Sequence, residues 1–146
     1  MPSSRLGQWL VAAQVGLCVW LIWLGWSGVL AHPWLWPGVV VGVVISASGV
    51  WAMRLSRLRV TPEPGEEATL CERGIYGWIR HPMYAGLLLA FAMFAIGAGN
   101  PFAWLGWAGL LGVLLAKLRI EERLWSGRDP AYRAYMSRTK RLVPGV

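Results

Sequence analysis

Charge is missing from most of this chain. No Lys, Arg, Asp or Glu occurs between Arg5 and Arg54, and none between Arg80 and Lys117. Cysteine is scarce as well. Cys18 lies inside an apolar run and Cys71 in a charged segment, which gives neither a disulfide framework nor a thiolate metal site. No His/Cys/Asp cluster has metal-ligand spacing, so no metal is expected. Acidic residues number seven against fourteen basic ones. Neither a long internal repeat nor a low-complexity tract is present, and 146 residues leave room for one domain.

Apolar residues fill the space instead. The hydrophobic fraction is 56%, the mean hydropathy is positive, and eleven Trp suit a chain that sits at two membrane–water interfaces. Each charge-free run is too long for one ordinary span and carries a turn signal near its middle. In the first it is Ala31-His32-Pro33-Trp34-Leu35-Trp36-Pro37, and in the second Gly97-Ala98-Gly99-Asn100-Pro101. Proline stops a helix there because it lacks the amide hydrogen and clashes with the preceding turn. The expected architecture is an all-α membrane protein with four transmembrane helices at 6–30, 38–55, 83–96 and 102–118, a loop over 56–80 and a tail over 119–146. The last pair is short for a bilayer core of roughly 30 Å. Val29-Leu30-Ala31 has the form of a signal-peptidase site, but the apolar stretch before it is about twice the usual length of such a segment, so a retained first helix is expected.

With four spans every acidic and basic residue falls on one side of the membrane. Positive-inside asymmetry then makes both termini and the central loop cytoplasmic. The net charge of +7 reads as topology, and no nucleic-acid partner is expected. Gly38, Gly42 and Ser46 form a strip of small side chains on the second span, suited to close helix packing, and Gly106, Gly109 and Ala116 offer a second such strip. Thr61-Pro62-Glu63-Pro64-Gly65-Glu66-Glu67 reads as a solvated irregular loop. In the tail the helix is expected to break at Ser126-Gly127. It resumes as a short amphipathic helix with Asp129 as N-cap and Pro130 as first residue, lying against the bundle or the lipid headgroups.

Two constellations carry candidate chemistry. Arg80-His81-Pro82-Met83-Tyr84-Ala85-Gly86 opens the third span. Free first-turn amides and the positive helix end would join Arg80 and His81 in an anion site, while Gly86 removes bulk one turn on. An interfacial anchor, with Arg and Tyr snorkelling to the headgroups, fits the same spacing. The second is Arg119, Glu121 and Glu122. Arg119 can meet Glu122 at i,i+3 and Lys117 can meet Glu121 at i,i+4, and a solvated ion-pair face fits these residues equally. A short turn makes spans three and four antiparallel neighbours, so the two constellations approach each other.

Gly74-x-Tyr76, then Arg80-His81-Pro82-x-Tyr84-x-Gly86, a hydrophobic hairpin, Glu121-Glu122, Tyr132-x-x-Tyr135, Arg138, and Leu142-x-Pro144 together resemble the isoprenylcysteine carboxyl methyltransferase family. The wider group includes phospholipid N-methyltransferases. The resemblance covers roughly the C-terminal half, and Gly127-Arg128-Asp129-Pro130 stands where the family carries phenylalanine-glycine. It implies a multi-pass methyltransferase of a bacterial or archaeal-type cytoplasmic membrane that uses S-adenosylmethionine. His81, Tyr84 and nearby backbone, with Tyr76, Arg80, Pro82 and Gly86, would hold the amino-acid end of that cofactor. Glu121 or Glu122 would meet its ammonium or ribose, and Tyr132 and Tyr135 would close over its adenosine. Arg119 and Glu122 resemble the charged pair beside the methyl acceptor, which is expected to be lipidic or amphiphilic and to bear a carboxylate, amine or thiol. Two alternatives stand beside it: an NADPH-dependent membrane reductase of sterol-reductase type, and a non-enzymatic four-helix subunit.

Overall fold

In lipid a backbone must satisfy its own hydrogen bonds, which is why long uncharged runs fold as helices. The computed structural model describes residues 5–53 and 70–144; the acid- and proline-rich stretch 61–67 lies outside the described residues. Those described are all-helical, with one isolated parallel bridge, Ile79 to Lys140. Helix α1 covers Arg5–Ala31, a 3-10 turn Pro33–Leu35, α2 Trp36–Met53, a second 3-10 turn Gly74–Gly77, α3 Pro82–Ala98, α4 Pro101–Arg128 and α5 Pro130–Arg138. By length and composition Arg5–Ala31, Pro33–Met53 and Pro101–Arg128 suit a membrane span, while Pro82–Ala98 is a shorter apolar helix. At 1.5 Å per residue α3 is roughly 25 Å long and α4 about 42 Å.

The breaks fall where the sequence puts them. Gly99 closes α3 in the left-handed region at φ 61°, a conformation glycine adopts without a Cβ clash. Asn100 then caps α4, its side chain accepting from the Ala103 amide at 3.0 Å, with Pro101 as first helical residue. One expected break is absent. α4 runs straight through Ser126-Gly127 to Arg128. The Ser126 hydroxyl bonds back to the Glu122 carbonyl, which keeps that turn helical. The interruption comes at Asp129, where Pro130 has no amide hydrogen to continue the ladder. Asp129 caps α5 as expected, accepting from Ala131 N at 2.8 Å.

Helix α3 is the centre of the bundle, packed on α1, α2 and α4. Small residues let it approach both earlier helices. A Cβ on Gly42 would sit 2.6 Å from the Gly86 carbonyl oxygen, and one on Gly28 would collide with the Gly97 carbonyl. The Ser46 hydroxyl donates to the Met83 carbonyl at 3.1 Å, so the Gly38–Gly42–Ser46 strip serves packing. Gly106 and Gly109 face Trp20, Leu21 and Leu17 of α1 at ordinary contact distance. From α4, Trp107 donates its indole N–H to the Leu88 carbonyl at 2.9 Å. Leu21, Val29, Leu88, Phe91, Phe94, Leu110 and Leu114 fill the shared core.

The Gly28→Val substitution should therefore lower thermal stability in detergent by at least about 1–3 kcal/mol, the usual range for overpacking. Gly112→Ala, where an added Cβ meets nothing within 4 Å, should leave it unchanged or raise it by up to about 1 kcal/mol through helix propensity. Equal melting temperatures for the two variants would contradict the close α1–α3 approach.

Candidate active site at the start of α3 and the end of α4

The motif segment before α3 is held in place from three directions. The Cys71 thiol donates to the Ala52 carbonyl at the end of α2, 3.4 Å away. The 3-10 turn Gly74–Gly77 then buries Tyr76. Next, the chain runs extended beside the tail: Arg80 N donates to Lys140 O at 2.7 Å, His81 N to Arg141 O at 3.0 Å, and Lys140 N to Trp78 O at 3.3 Å. The tail reaches this point because α5 docks through Tyr132 and Tyr135, three residues apart and both buried, with Arg133 and Arg138 outward. Tyr135 donates its hydroxyl to the Tyr76 carbonyl at 2.7 Å, and Tyr132 stacks on Trp125 at 5.8 Å.

Those contacts change one expectation. The amides of Arg80 and His81 are spent on tail carbonyls, and those of Tyr84 and Ala85 on the His81 carbonyl. Fewer first-turn amides are therefore left free at this helix start than the sequence suggests.

Two glutamates, two arginines and a histidine meet there. Glu122, 4% exposed, accepts from Arg80 Nε at 2.8 Å on one oxygen and from Arg141 Nε at 3.1 Å on the other, with Arg141 Nη2 as an ion-pair neighbour 3.0 Å from that second oxygen. Arg80 Nη1 also donates to the Met136 carbonyl at 3.0 Å and to the Thr139 carbonyl. His81 lies between the glutamates, with Nδ1 3.3 Å from Glu121 and Nε2 3.5 Å from Glu122. Its ring stacks face to face on Tyr84 at 5.5 Å, and the Tyr84 hydroxyl donates to Glu121. Among the described residues His81 Nε2 is a buried side-chain nitrogen that makes no hydrogen bond. Such an orphan carries a desolvation cost that a bound partner would relieve.

The structure thus brings Tyr76, Arg80, His81, Pro82, Tyr84, Glu121, Glu122, Tyr132 and Tyr135 around one junction, with Gly86 buried against α2 just behind it. Arg119 is different. It is exposed on α4, and the cations on Glu122 are Arg80 and Arg141 rather than the residue three before it. Lys117 likewise turns to Gln14 of α1, donating to its Oε1 at 2.8 Å. Arg141, Thr139 and Gln14 escaped the sequence reading. For Gln14 a signal existed, since an amide inside an apolar span is seldom left without work.

Over 98% of its length the chain is 29% identical to the methanethiol S-methyltransferase of Mycobacterium tuberculosis, of which it covers 50%. A 77-residue alignment, 49% of the chain, is 31% identical to an uncharacterized protein of Schizosaccharomyces pombe and covers 22% of it. The chain therefore spans about half or less of the curated relatives it matches. No family model matches, and no solved structure matches.

Two predictions follow from the charge cluster. Burial disfavours the imidazolium of His81, but the close Glu121 and Glu122 carboxylates prevail, and its pKa lies above the ordinary 6.5. A raised folded-state pKa stabilises fully below about pH 6.5 and the gain disappears as pH climbs through the folded value. Melting temperature in detergent should fall over that rise, and His81→Gln should flatten the fall; parallel wild-type and variant profiles would refute it. Removing the Glu122 charge in Glu122→Gln strands a buried guanidinium and should cost about 3–5 kcal/mol, against less than about 1 kcal/mol for Glu72→Gln, whose pair with Arg138 is exposed. Similar losses for the two, read by denaturation, would deny the burial of the Arg80–Glu122 pair any energetic role.

Proposed function

We propose that this chain is an S-adenosylmethionine-dependent methyltransferase of the isoprenylcysteine carboxyl methyltransferase type. In this reading the four apolar helices α1–α4 are embedded in one membrane domain, with both termini, the central loop and the site on the cytoplasmic side. The observation that carries it is the meeting of His81, Tyr84, Glu121 and Glu122 with the tyrosines of the tail at a single junction. The likeness to a methanethiol S-methyltransferase along nearly the whole chain supports the same chemistry.

The residues present fit the amino-acid end of such a donor. Unpartnered, buried His81 Nε2 suits an acceptor or donor atom of the ligand, and Glu121, 22% exposed at its side chain, is the carboxylate open to an ammonium. The cofactor supplies a methyl group on a sulfonium, an electrophile that needs no metal. What the chain must provide is alignment and a dry surround. Tyr84 fixes the His81 ring by stacking and holds Glu121 by its hydroxyl. Glu122, saturated by Arg80 and Arg141, orients those cations rather than moving a proton. Tyr76, Tyr132 and Tyr135 give the wall on the tail side, and Arg119, exposed on α4, is assigned to the approach of the acceptor. A lipidic or amphiphilic acceptor matches a site where α4 leaves the apolar layer.

Titration of S-adenosylhomocysteine into the full chain in lipid nanodiscs tests the reading. Wild type should bind. Glu121→Gln should weaken binding on the order of 10- to 100-fold, the worth of one hydrogen bond to a charged group, and Gly112→Ala should not. Tight binding of NADPH with none of S-adenosylhomocysteine would turn the assignment to a reductase.

A further inference from the structure

Helix α4 keeps an exposed stripe along most of its length. Pro101, Leu105, Gly112 and Arg119 are exposed, and the last three stand seven residues apart, close to two full turns each. A Cβ added at Gly112 would meet nothing within 4 Å, so this stripe is the side of α4 that faces lipid. Arg123, one turn beyond Arg119, is exposed on the same side. Glu121 lies on the far side of the helix, toward Tyr84 and His81. At 1.5 Å per residue Arg119 stands about 27 Å from Pro101 and Arg123 about 33 Å, which straddles the edge of a hydrocarbon core of roughly 30 Å. Trp9 of α1, Trp51 of α2 and Trp78 are exposed at this same end, as an interfacial belt requires.

Both guanidiniums therefore reach the headgroup layer, and the helix supplies them no counter-charge. Glu122 is the one carboxylate at three- or four-residue spacing from either, and its oxygens are taken by Arg80 and Arg141. Among the described residues no acid pairs with Arg119 or Arg123. Like charges at i,i+4 repel unless an anion lies between them. We infer that Arg119 and Arg123 form a clamp for the phosphate of an anionic phospholipid in the leaflet on the site's side of the membrane. Two planar forks one turn apart suit a phosphodiester, each able to donate in parallel to its oxygens. The acyl chains of that lipid lie along Gly112, Ala108 and Leu105, where the helix surface is exposed. A zwitterionic lipid brings its own ammonium, which the two cations repel. The clamp stands on the geometry of α4 as a membrane span, whatever reaction the junction performs.

The test titrates phosphatidylglycerol and phosphatidylcholine into the full chain in neutral detergent and counts bound lipid by native mass spectrometry. Wild type should bind phosphatidylglycerol at least about tenfold more tightly than phosphatidylcholine. The double variant Arg119→Gln/Arg123→Gln should weaken phosphatidylglycerol on the order of 10- to 30-fold, about 1 kcal/mol for each cation, and leave phosphatidylcholine unchanged. Arg133→Gln/Lys140→Gln removes the same charge from exposed positions on the tail and should cost less than about twofold. Added phosphatidylglycerol should raise the melting temperature of wild type and not that of the clamp variant. Unchanged phosphatidylglycerol affinity in the clamp variant overturns the inference. Equal weakening by the tail pair also overturns it, because the attraction would then be diffuse surface charge. Displacement of phosphatidylglycerol by millimolar inorganic phosphate would mark a site for the free anion and overturn it too. If the double variant does not fold, Arg123→Gln alone decides, with a loss of about fivefold expected and no loss overturning the clamp.

Discussion

A carboxylate buried inside a helix bundle has to be neutralised, and Glu122 of α4 is the one on which this structure turns. Its two oxygens are met by Arg80 from the segment before α3 and by Arg141 from the far end of the tail. Both partners are remote in sequence, so the charge can be satisfied only if the motif segment and the tail lie side by side. The backbone bonds of Arg80 and His81 to Lys140 and Arg141 follow from that alignment. An apolar residue of Glu122's size would not require the two segments to register at all.

Where this junction sits relative to the apolar layer is decided by helix length. α3 has 17 residues and α4 has 28, yet they are joined by a single glycine–asparagine turn. Starting level at that turn, α3 ends its rise well before α4 does. The extra turns of α4 therefore stand beside the segment 79–81 and carry Lys117, Glu121 and Glu122 across from it. Close packing makes the short helix tenable. With glycine at 25, 28, 42, 86 and 97, α3 is wedged between α1 and α2 at backbone contact, which replaces by dispersion what a short apolar helix lacks in buried length.

Sequence alone made the helices legible because their signal is physical and local: long uncharged runs, broken at Pro33 and at Gly99-Asn100-Pro101, with Asp129-Pro130 opening the last helix. It also brought Arg80-His81 and Glu121-Glu122 together, since a tight turn dictates antiparallel neighbours. What it lacked was long-range pairing. Arg119 and Glu122 satisfy an i,i+3 rule, but that rule describes an isolated helix surface, and Glu122 points into the bundle where Arg80 and Arg141 are the nearer cations. The expected break at Ser126-Gly127 failed for a similar reason. Composition marks a turn there, while the Ser126 hydroxyl returns to the Glu122 carbonyl and keeps the helix going. The stretch 61–67 lies outside the described residues.

The same geometry separates a site from an anchor. A basic, aromatic helix start serves as an interfacial anchor when its cation snorkels outward and its ring lies at the headgroups, because hydration of the charge is then kept. Arg80 and His81 do the reverse: both turn inward and are nearly inaccessible. Trp78 and Arg73, beside them, are exposed and would anchor equally well. Burying a guanidinium and an imidazole, then leaving one imidazole nitrogen without a hydrogen bond, sacrifices stability that an anchor would have no reason to give up. On the proposed reading, a ligand that completes the hydrogen bonding would recover that loss on binding.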